Sequence, residues 1–380
     1  MEVPSKLPNI GQSIFSTISA LSNQNQAINL GQGFPNFAMD EALIHHVNEA
    51  MNKGHNQYSA MIGIIELRKI IKAKLDITQG IKIDEENEIT ITAGASQALF
   101  TAIIAFIKPG DEVLLFEPMY DAYAPAIALC GGVCSYITLL PPEFAIDWDN
   151  VKKKISSKTK MIITNTPNNP TGCVLSNEDC MALAEIVYEH KLILLSDEVY
   201  EHLVFDGAKH LSALRLSKIY NQTLAVFSFG KTLHCTGWKI GYIVGSPYLM
   251  KEFRKIHQFN AFCVATPMQV GIATYLLDAN TYLGLSEFYQ KKRDTLYNAM
   301  LNTRFDVLQC KGTFFQLYAY DAISKKKDID FAIELIEDYK VATIPLSSFY
   351  TTKLELKYLR FCFAKTDETI DNAVKQLILL

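Results

Sequence analysis

The chain has 380 residues, of which 49% are hydrophobic and 20% are charged, and its formal net charge is −4. This length exceeds one comfortable hydrophobic core and predicts a globular protein with one large and one small domain. The slightly acidic balance gives no electrostatic footprint for nucleic acid, and the longest apolar run, at 102–107, is far too short to cross a membrane.

Two further features concern the cellular compartment and metals. The N-terminal residues lack the apolar core of a signal peptide. The eight cysteines form no C-x-x-C pair and no zinc-like spacing with histidine. We therefore expect a cytoplasmic protein without nucleic-acid or membrane partners, without a disulfide framework and without a metal site.

Short β-rich runs alternate with helical stretches between about residues 88 and 245, which is typical of a mainly parallel sheet covered by helices. The spacing predicts helices at 96–107 and from Ser176, which begins a capping-box-like sequence, to about 190. The predicted strands are 88–92, 112–116, 133–139, 161–164, 192–195, 224–229 and 240–244.

Long helical patterns follow, at 248–260 and 285–302, and two predicted strands at 312–318 and 358–363 flank a helix at 328–340. The sequence thus predicts an α/β fold. A large domain has a mainly parallel seven-stranded sheet covered by helices, and a smaller α+β domain is built from the two chain ends. The predicted boundaries assign 1–45 and 281–380 to the small domain and 46–280 to the large domain.

The stretch from Ser228 to Lys239 is the strongest candidate for chemistry. Lys231 follows a predicted buried strand, with a serine three residues before it and a second lysine eight residues after it, which favours an amine beside a phosphate-sized anion. Gly230-Lys231-Thr232 also imitates the end of a nucleotide-binding P-loop. Position 225, where that motif needs glycine, is Ala225, so a P-loop hydrolase is disfavoured.

Two more polar segments follow predicted strands. Asn165-Thr-Pro-Asn-Asn-Pro-Thr-Gly172 comes after the strand at 161–164, and the strand at 192–195 leads into Asp197. Ligands bind at the carboxyl ends of the strands in open α/β sheets. We therefore expect both segments to lie near one site.

These segments stand in order with Asn29-Leu-Gly-Gln-Gly-Phe-Pro35, Gly94-Ala-Ser-Gln-Ala-Leu99 and Arg360-Phe-Cys-Phe363. In this combination the chain resembles the class I aminotransferases, pyridoxal-phosphate enzymes of fold type I, and within them the methionine, kynurenine and glutamine aminotransferase group. The resemblance covers nearly the whole chain. It implies a pyridoxal 5'-phosphate cofactor and transfer of an amino group from an L-amino acid, with methionine or aromatic donors favoured, to a 2-oxo acid.

The resemblance also implies roles for residues around the cofactor ring. Lys231 matches the lysine that forms the Schiff base with the cofactor and later moves the Cα proton. Asp197 matches the carboxylate that keeps the ring nitrogen protonated. Asn169 and Tyr200 match the groups that bond the phenolic oxygen, and Tyr120 matches the aromatic residue that stacks on the ring.

Other matched positions imply the phosphate and substrate sites. By resemblance, Ala95 and Ser96 at a helix N-terminus, with Ser228 and Lys239, hold the phosphate. Tyr58 resembles a tyrosine lent by the second subunit, which implies a homodimer with shared active sites. The substrate carboxylate is assigned to three residues, Arg360, Asn169 and Gly33.

Several points stay open from the sequence. Phe34, Tyr120 and either Phe314 or Phe349 are candidates to line the substrate pocket. A β-lyase acting on cysteine S-conjugates or cystathionine is an alternative, because it begins with loss of the same Cα proton. A non-catalytic sensor would carry a DNA-binding segment ahead of this fold, and we expect none, because the pattern begins by about residue 29.

Three departures from the broader family pattern are Lys239, in place of the more usual arginine, and the pair His234 and Cys235, where small or aliphatic residues are preferred. We expect the pair to modify the substrate or the packing without abolishing catalysis.

Overall fold

The computed structural model of the protein describes residues 3–8 and 10–380. Met1, Glu2 and Asn9, which belong to the predicted N-terminal segment, lie outside the described residues. The helices are α1 (Ile14–Gln24), α2 (Glu41–Asn52), α3 (Ile65–Gln79), α4 (Gly94–Phe106), α5 (Tyr123–Leu129), α6 (Trp148–Lys154), α7 (Asn177–Glu189), α8 (Phe229–Thr232), α9 (Pro247–Asn260), α10 (Thr266–Tyr275), α11 (Asn280–Leu283), α12 (Leu285–Met300), α13 (Asp328–Glu337) and α14 (Asp367–Leu377).

The strands are β1 (Ile28–Asn29), β2 (Ile89–Thr92), β3 (Glu112–Glu117), β4 (Val133–Thr138), β5 (Thr159–Asn165), β6 (Ile193–Asp197), β7 (Thr223–Ser228), β8 (Gly241–Gly245), β9 (Asp306–Val307), β10 (Phe315–Ala319), β11 (Val341–Ala342), β12 (Ile344–Pro345) and β13 (Tyr358–Cys362). Short 3₁₀ turns occur at Ala213–Arg215, Ser217–Gln222, Thr236–Trp238 and Leu346–Phe349. No helix in the described part of the chain has the length and apolar character needed to span a lipid bilayer.

The large sheet has seven strands in the order β2-β8-β7-β6-β5-β3-β4. Its strands are parallel except β8, which lies antiparallel between β2 and β7. Helices cover both faces, so the central strands are apolar on both sides, as expected for a parallel sheet. The predicted mainly parallel seven-stranded sheet is confirmed.

Polar side chains end the three central strands of this sheet. Asn165, Asp197 and Ser228 are the last residues of β5, β6 and β7. The register places Asn165 directly beside Asp197, and Asp197 beside Val226 of β7. Because the carboxyl ends of parallel strands meet at one edge, three separate segments converge there.

Two helix starts follow the predicted local rules. Helix α7 begins with a capping box, in which the Ser176 hydroxyl accepts from the Asp179 N–H at 3.0 Å and the Asp179 carboxylate accepts from the Ser176 N–H. Helix α4 begins directly after β2 without a side-chain cap on its first turn. Its first N–H groups therefore point out of the helix end with no partner inside the helix.

The second sheet has four antiparallel strands in the order β12-β13-β10-β9, and the segment after α1 joins it. Strand β1 pairs in parallel with β11, and the Leu30 carbonyl accepts from the Cys362 N–H at 2.7 Å. The two chain ends thus build one α+β unit, as predicted. The domain boundaries at residues 45 and 280 stay a prediction.

Candidate active site

A cavity of about 330 Å³ opens where the ends of β5, β6 and β7 face the first turn of α4 and the small domain. Sites for small molecules measure about 300–1,000 Å³. The residues predicted to hold the cofactor and the substrate carboxylate, except Tyr58, line this cavity: Gly33, Ala95, Ser96, Tyr120, Asn169, Asp197, Tyr200, Ser228, Lys231, Lys239 and Arg360.

Lys231 lies on α8, the short helical turn that follows β7. Its Nζ atom donates to the Gly33 carbonyl at 2.7 Å and lies 5.4 Å from the ring centroid of Tyr200. Burial lowers the pKa of Lys231 to about 8, and the cations of Arg360 and Lys239 act in the same direction. A lowered pKa leaves more of the amine neutral and nucleophilic near neutral pH.

Asp197 faces the cavity from the end of β6 and is only 3% exposed. The Tyr123 hydroxyl donates to its Oδ2 atom at 2.6 Å, and the Val199 N–H donates to Oδ1 at 3.3 Å. Burial raises the pKa of Asp197 to about 6, although both hydrogen bonds lower it. The carboxylate is therefore mainly ionised at neutral pH and held in a fixed orientation.

Arg360 lies on β13 and is almost fully buried. Its guanidinium donates to the Asn169 side-chain oxygen and to the Gly31 carbonyl, both at 2.6 Å, and stacks 3.7 Å from the ring centroid of Phe315. Burial lowers its pKa to about 10, so it stays charged at neutral pH. Its Nε atom has no hydrogen-bond partner among the described residues, which leaves a buried cationic donor for an anion.

The first turn of α4 forms the opposite end of the cavity. Gly94 has a φ of +77°, and a Cβ atom placed on it would lie 3.4 Å from the Lys239 Nζ atom. The ammonium of Lys239 therefore lies against the helix end that carries Ala95 and Ser96, and Ser228 lines the same cavity. Free N–H groups, the positive helix end and an ammonium together favour a phosphate-like anion.

The aromatic walls differ in part from the expectation. Tyr120 lines the cavity as predicted, and Phe15 of α1 and Phe315 of β10 are further aromatic residues of its lining. Phe34, Phe314 and Phe349 do not line this cavity, so their part in a substrate pocket stays a prediction. Phe34 is 44% exposed, the buried Phe314 ring has its centroid 5.4 Å from the Lys231 Nζ atom, and Phe349 packs behind Phe15 with ring centroids 5.8 Å apart.

The sequence reasoning also missed Tyr123, Asn165 and Thr236. Asn165 and Thr236 line the cavity, and Asn165 donates to the Asp197 carbonyl at 3.0 Å. Asn165 is the first residue of the polar segment at 165–172. No local pattern, however, joins Tyr123 to a carboxylate 74 residues away.

His234 and Cys235 lie outside the cavity wall, in packing positions. The His234 ring packs edge-on against Phe37 with centroids 4.9 Å apart, and burial lowers its pKa to about 4, so it is neutral. Cys235 is buried, with its Sγ atom 3.6 Å from the Phe229 carbonyl. Both residues support the turn that follows Lys231.

Tyr58 lies away from the cavity of its own chain. It is 82% exposed, and its ring packs edge-on against Phe262 with centroids 5.3 Å apart. Its predicted role in a partner's site stays a prediction.

The residues present fit pyridoxal phosphate. The cavity brings an amine of lowered pKa, an oriented carboxylate and an anion-binding helix end to three sides of one space. These groups correspond to the aldehyde, the ring nitrogen and the phosphate of that cofactor. The buried Nε donor of Arg360 remains for a second anion.

Known proteins give the same picture. The family of class I and II aminotransferases matches residues 25–377. The chain is 43% identical to a methionine aminotransferase from Escherichia coli over 98% of this chain and 97% of that protein. It is 33% identical to a kynurenine–oxoglutarate transaminase from Dictyostelium discoideum over 99% of this chain and 96% of that protein.

The fold agrees with these relatives. A crystal structure of a methionine aminotransferase from Escherichia coli superposes with a TM-score of 0.98 at 42% identity and covers all of both chains. None of these three proteins is named as a lyase, and nothing in the comparison favours that alternative. The chain belongs to the class I and II aminotransferases and is a pyridoxal-phosphate-dependent transaminase of fold type I.

Proposed function

We propose that this transaminase takes methionine or an aromatic L-amino acid as its amino donor and passes the amino group to a 2-oxo acid. One observation carries the proposal: a buried arginine with a free donor shares its cavity with aromatic walls. The Escherichia coli relative named for methionine and the Dictyostelium relative named for kynurenine support the same substrate class.

The α-carboxylate of the substrate is assigned to Arg360. A planar guanidinium binds the two oxygens of a carboxylate with better geometry than an ammonium does. The bonds to Asn169 and Gly31 and the stacking on Phe315 fix the guanidinium before substrate arrives. Asn169 and the backbone at Gly33 complete this end of the site.

The side chain of the donor is assigned to the space beside Phe15, Tyr120 and Phe315. Arg360 is the one arginine among the described residues that line the cavity. The lining cation Lys239 lies at the phosphate end. A distal carboxylate, as in aspartate, would therefore lack a guanidinium partner, whereas an apolar or aromatic side chain would bury its surface.

Lys231, Asp197, Asn169 and Tyr200 are assigned to the cofactor ring. Bound pyridoxal phosphate supplies the electron sink that makes the Cα–H bond of an amino acid acidic. The Nζ atom of Lys231 would hold the cofactor covalently and, once released by substrate, move the proton from Cα. Asp197 would keep a proton on the ring nitrogen, and Asn169 and Tyr200 would hold the phenolic oxygen.

Two remaining assignments place the cofactor in the cavity. Tyr120 would stack on the ring, because it lines the cavity beside the α4 end of the site. The N–H groups of Ala95 and Ser96, the Ser228 hydroxyl and the Lys239 ammonium would bind the phosphate. Lys239 supports the phosphate as a point charge without the fork of an arginine.

We also propose a homodimer in which Tyr58 of each subunit completes the site of the other. Two exposed aromatic residues in contact support this face: Tyr58 is 82% exposed and Phe262 47%, with ring centroids 5.3 Å apart. Large exposed aromatic rings are uncommon on a face that stays in water. Light scattering that shows a fully active monomer would contradict the shared site.

A cytoplasmic location is proposed on the state of the cysteines. All eight are free thiols in the structure. Free cysteines are kept reduced in the cytosol, whereas oxidising compartments favour disulfides. Fractionation of cells that express the protein tests this location, and recovery in a secreted fraction would contradict it.

Steady-state rates across amino donors test the substrate class. With one saturating 2-oxo acid, kcat/KM is measured for methionine, phenylalanine, aspartate and leucine. Methionine and phenylalanine should be preferred over aspartate by about tenfold or more, since burial of a large apolar side chain contributes about 1.5–3 kcal/mol and the charged side chain of aspartate gains none of it. Clear preference for aspartate or leucine would overturn the proposal.

A further inference from the structure

We propose that Tyr123 is a positioning residue, which holds the Asp197 carboxylate in the orientation and the ionised state that the cofactor's ring nitrogen requires. This inference rests on the role proposed for Asp197 and adds a residue that does not line the cavity. The geometry that carries it is the 2.6 Å hydrogen bond from the Tyr123 hydroxyl to Asp197 Oδ2.

Tyr123 reaches Asp197 from a different part of the sheet. It is the first residue of α5, which follows β3, whereas Asp197 ends β6. Both side chains are buried, and the Tyr123 ring packs edge-on against Tyr120 with centroids 5.7 Å apart. The residue proposed to stack on the cofactor ring therefore contacts the residue that orients its nitrogen partner.

The two hydrogen bonds to the Asp197 carboxylate leave its cavity-facing side open to a ligand. Tyr123 occupies Oδ2 and the Val199 N–H occupies Oδ1, and the carboxylate lines the cavity. Without the tyrosine hydroxyl the carboxyl group could rotate about its bond to Cβ, held only by the longer 3.3 Å contact. Rotation would move the remaining lone pairs away from the ring nitrogen.

The charges around Asp197 explain why a strong donor is needed. Burial raises its pKa, and Glu198, the next residue, acts in the same direction. Tyr123 contributes the largest opposing effect, ahead of the Val199 N–H and the Lys231 cation. Glu198 is itself bound to His210 and to the Ala213 N–H, so it offers Asp197 no proton donor.

The Tyr123 hydroxyl itself does not titrate near neutral pH. Burial raises the pKa of Tyr123 well above its ordinary value, and the Asp197 charge adds to this effect. The other tyrosines whose titration is affected by Asp197 are Tyr120 and Tyr200, and burial raises the pKa of both. The raised pKa keeps the Tyr123 hydroxyl protonated at neutral pH, where it donates to the Asp197 carboxylate.

Measurements of cofactor affinity distinguish an effect on the orientation of Asp197, the proposed partner of the ring nitrogen, from a general effect on packing. The dissociation constants of pyridoxal phosphate and of its analogue with carbon in place of the ring nitrogen are measured for the wild type and Tyr123→Phe. We expect about tenfold weaker binding of pyridoxal phosphate by Tyr123→Phe, since the variant loses a hydrogen bond to a charged group. The analogue should lose less than twofold.

A matched control removes another buried tyrosine hydroxyl. Tyr318 is fully buried in the small domain and donates to the Gln316 side chain at 2.9 Å. Tyr318→Phe should leave both dissociation constants unchanged. Equal losses for the two ligands in Tyr123→Phe, or no loss for either, would overturn the inference.

Asp197→Asn distinguishes failure of this inference from failure of the proposed site. If Asp197→Asn weakens both ligands equally, the role of Asp197 is wrong. If Asp197→Asn weakens only pyridoxal phosphate and Tyr123→Phe does not, only the role of Tyr123 is wrong. In the double variant Tyr123→Phe should add less than twofold to the loss caused by Asp197→Asn.

A second substitution covers the case in which Tyr123→Phe does not fold. A ring-fluorinated tyrosine at position 123 keeps the shape and the hydrogen bond and makes the hydroxyl a stronger donor. The pH at which cofactor affinity is half lost in acid should move to a lower value, because the carboxylate is stabilised. An unchanged midpoint, or a shift to higher pH, would contradict the inference.

Discussion

Replacement of Arg360 by lysine keeps the positive charge and removes the planar fork. A lysine ammonium cannot bind Asn169, the Gly31 carbonyl and a substrate carboxylate in the geometry that the guanidinium offers. The stacking on Phe315, at 3.7 Å in the wild type, is lost as well. The variant therefore tests whether this arginine is the carboxylate anchor.

The magnitude follows from the bonds that are lost. Hydrogen bonds to a charged group contribute about 1.5–3 kcal/mol each. Loss of one or two such bonds to the carboxylate, partly offset by the retained charge, gives about 2–4 kcal/mol. This corresponds to a fall in kcat/KM of about 30- to 1,000-fold, at about 1.4 kcal/mol for each factor of ten.

The assay is kcat/KM for methionine at a saturating concentration of one 2-oxo acid. Arg304 is an exposed arginine that contacts the Leu380 carbonyl at 3.1 Å, and Arg304→Lys is the matched control, which should stay within twofold of the wild type. Cofactor affinity should change little in Arg360→Lys, because the assigned cofactor contacts remain. A value of kcat/KM within threefold of the wild type would refute the assignment.

Three further predictions address the amine, the aromatic wall and the subunit face. The rate at which apoprotein binds pyridoxal phosphate covalently should rise with pH and level off above about 8. Burial lowers the pKa of Lys231, and the neutral amine is the form that reacts. A rate, measured by stopped-flow absorbance, that still rises steeply beyond pH 10 would contradict this. Phe15→Ala should lower kcat/KM for phenylalanine by about 10- to 100-fold, since about 1.5–3 kcal/mol of apolar burial is lost. The same variant should hardly affect kcat/KM for alanine as donor. Equal losses for both donors would contradict a role for Phe15 in the aromatic wall of the cavity. Tyr58→Phe should weaken cofactor binding by about tenfold, because a charge-assisted hydrogen bond to the cofactor is lost. Tyr248→Phe, at another exposed tyrosine, is the control and should not weaken binding. Equal cofactor affinities in titrations of the two variants would contradict a role for Tyr58 in the site.

The elements of the large domain were predictable because their signals are local. Strands β5 and β6 are apolar on both faces and end in polar residues, so both their type and their functional end could be read from the sequence. The capping box at Ser176 fixed the start of α7 to the residue. The position of β8, antiparallel between β2 and β7, depends on chain crossing that no local pattern encodes.

Site residues could be predicted from the sequence where a motif carries the chemistry. They could not be predicted where tertiary packing decides which side chains reach the cavity. Asp197 and Lys231 stand at strand ends, so topology brings them together. Phe314 and Phe315 are neighbours on one extended segment, whose successive side chains point to opposite faces, and only Phe315 reaches the cavity. Phe15 approaches from α1, which requires the tertiary packing of the two chain ends.

Chemical location of the cofactor's attachment tests the central claim most directly. Purified protein is incubated with pyridoxal phosphate, reduced with borohydride and digested, and the labelled peptide is identified by mass spectrometry. The structure predicts that the label lies on Lys231 and that Lys231→Ala retains none. A label on another lysine, or no label after full reduction, would contradict the account of this chain as a transaminase acting through Lys231.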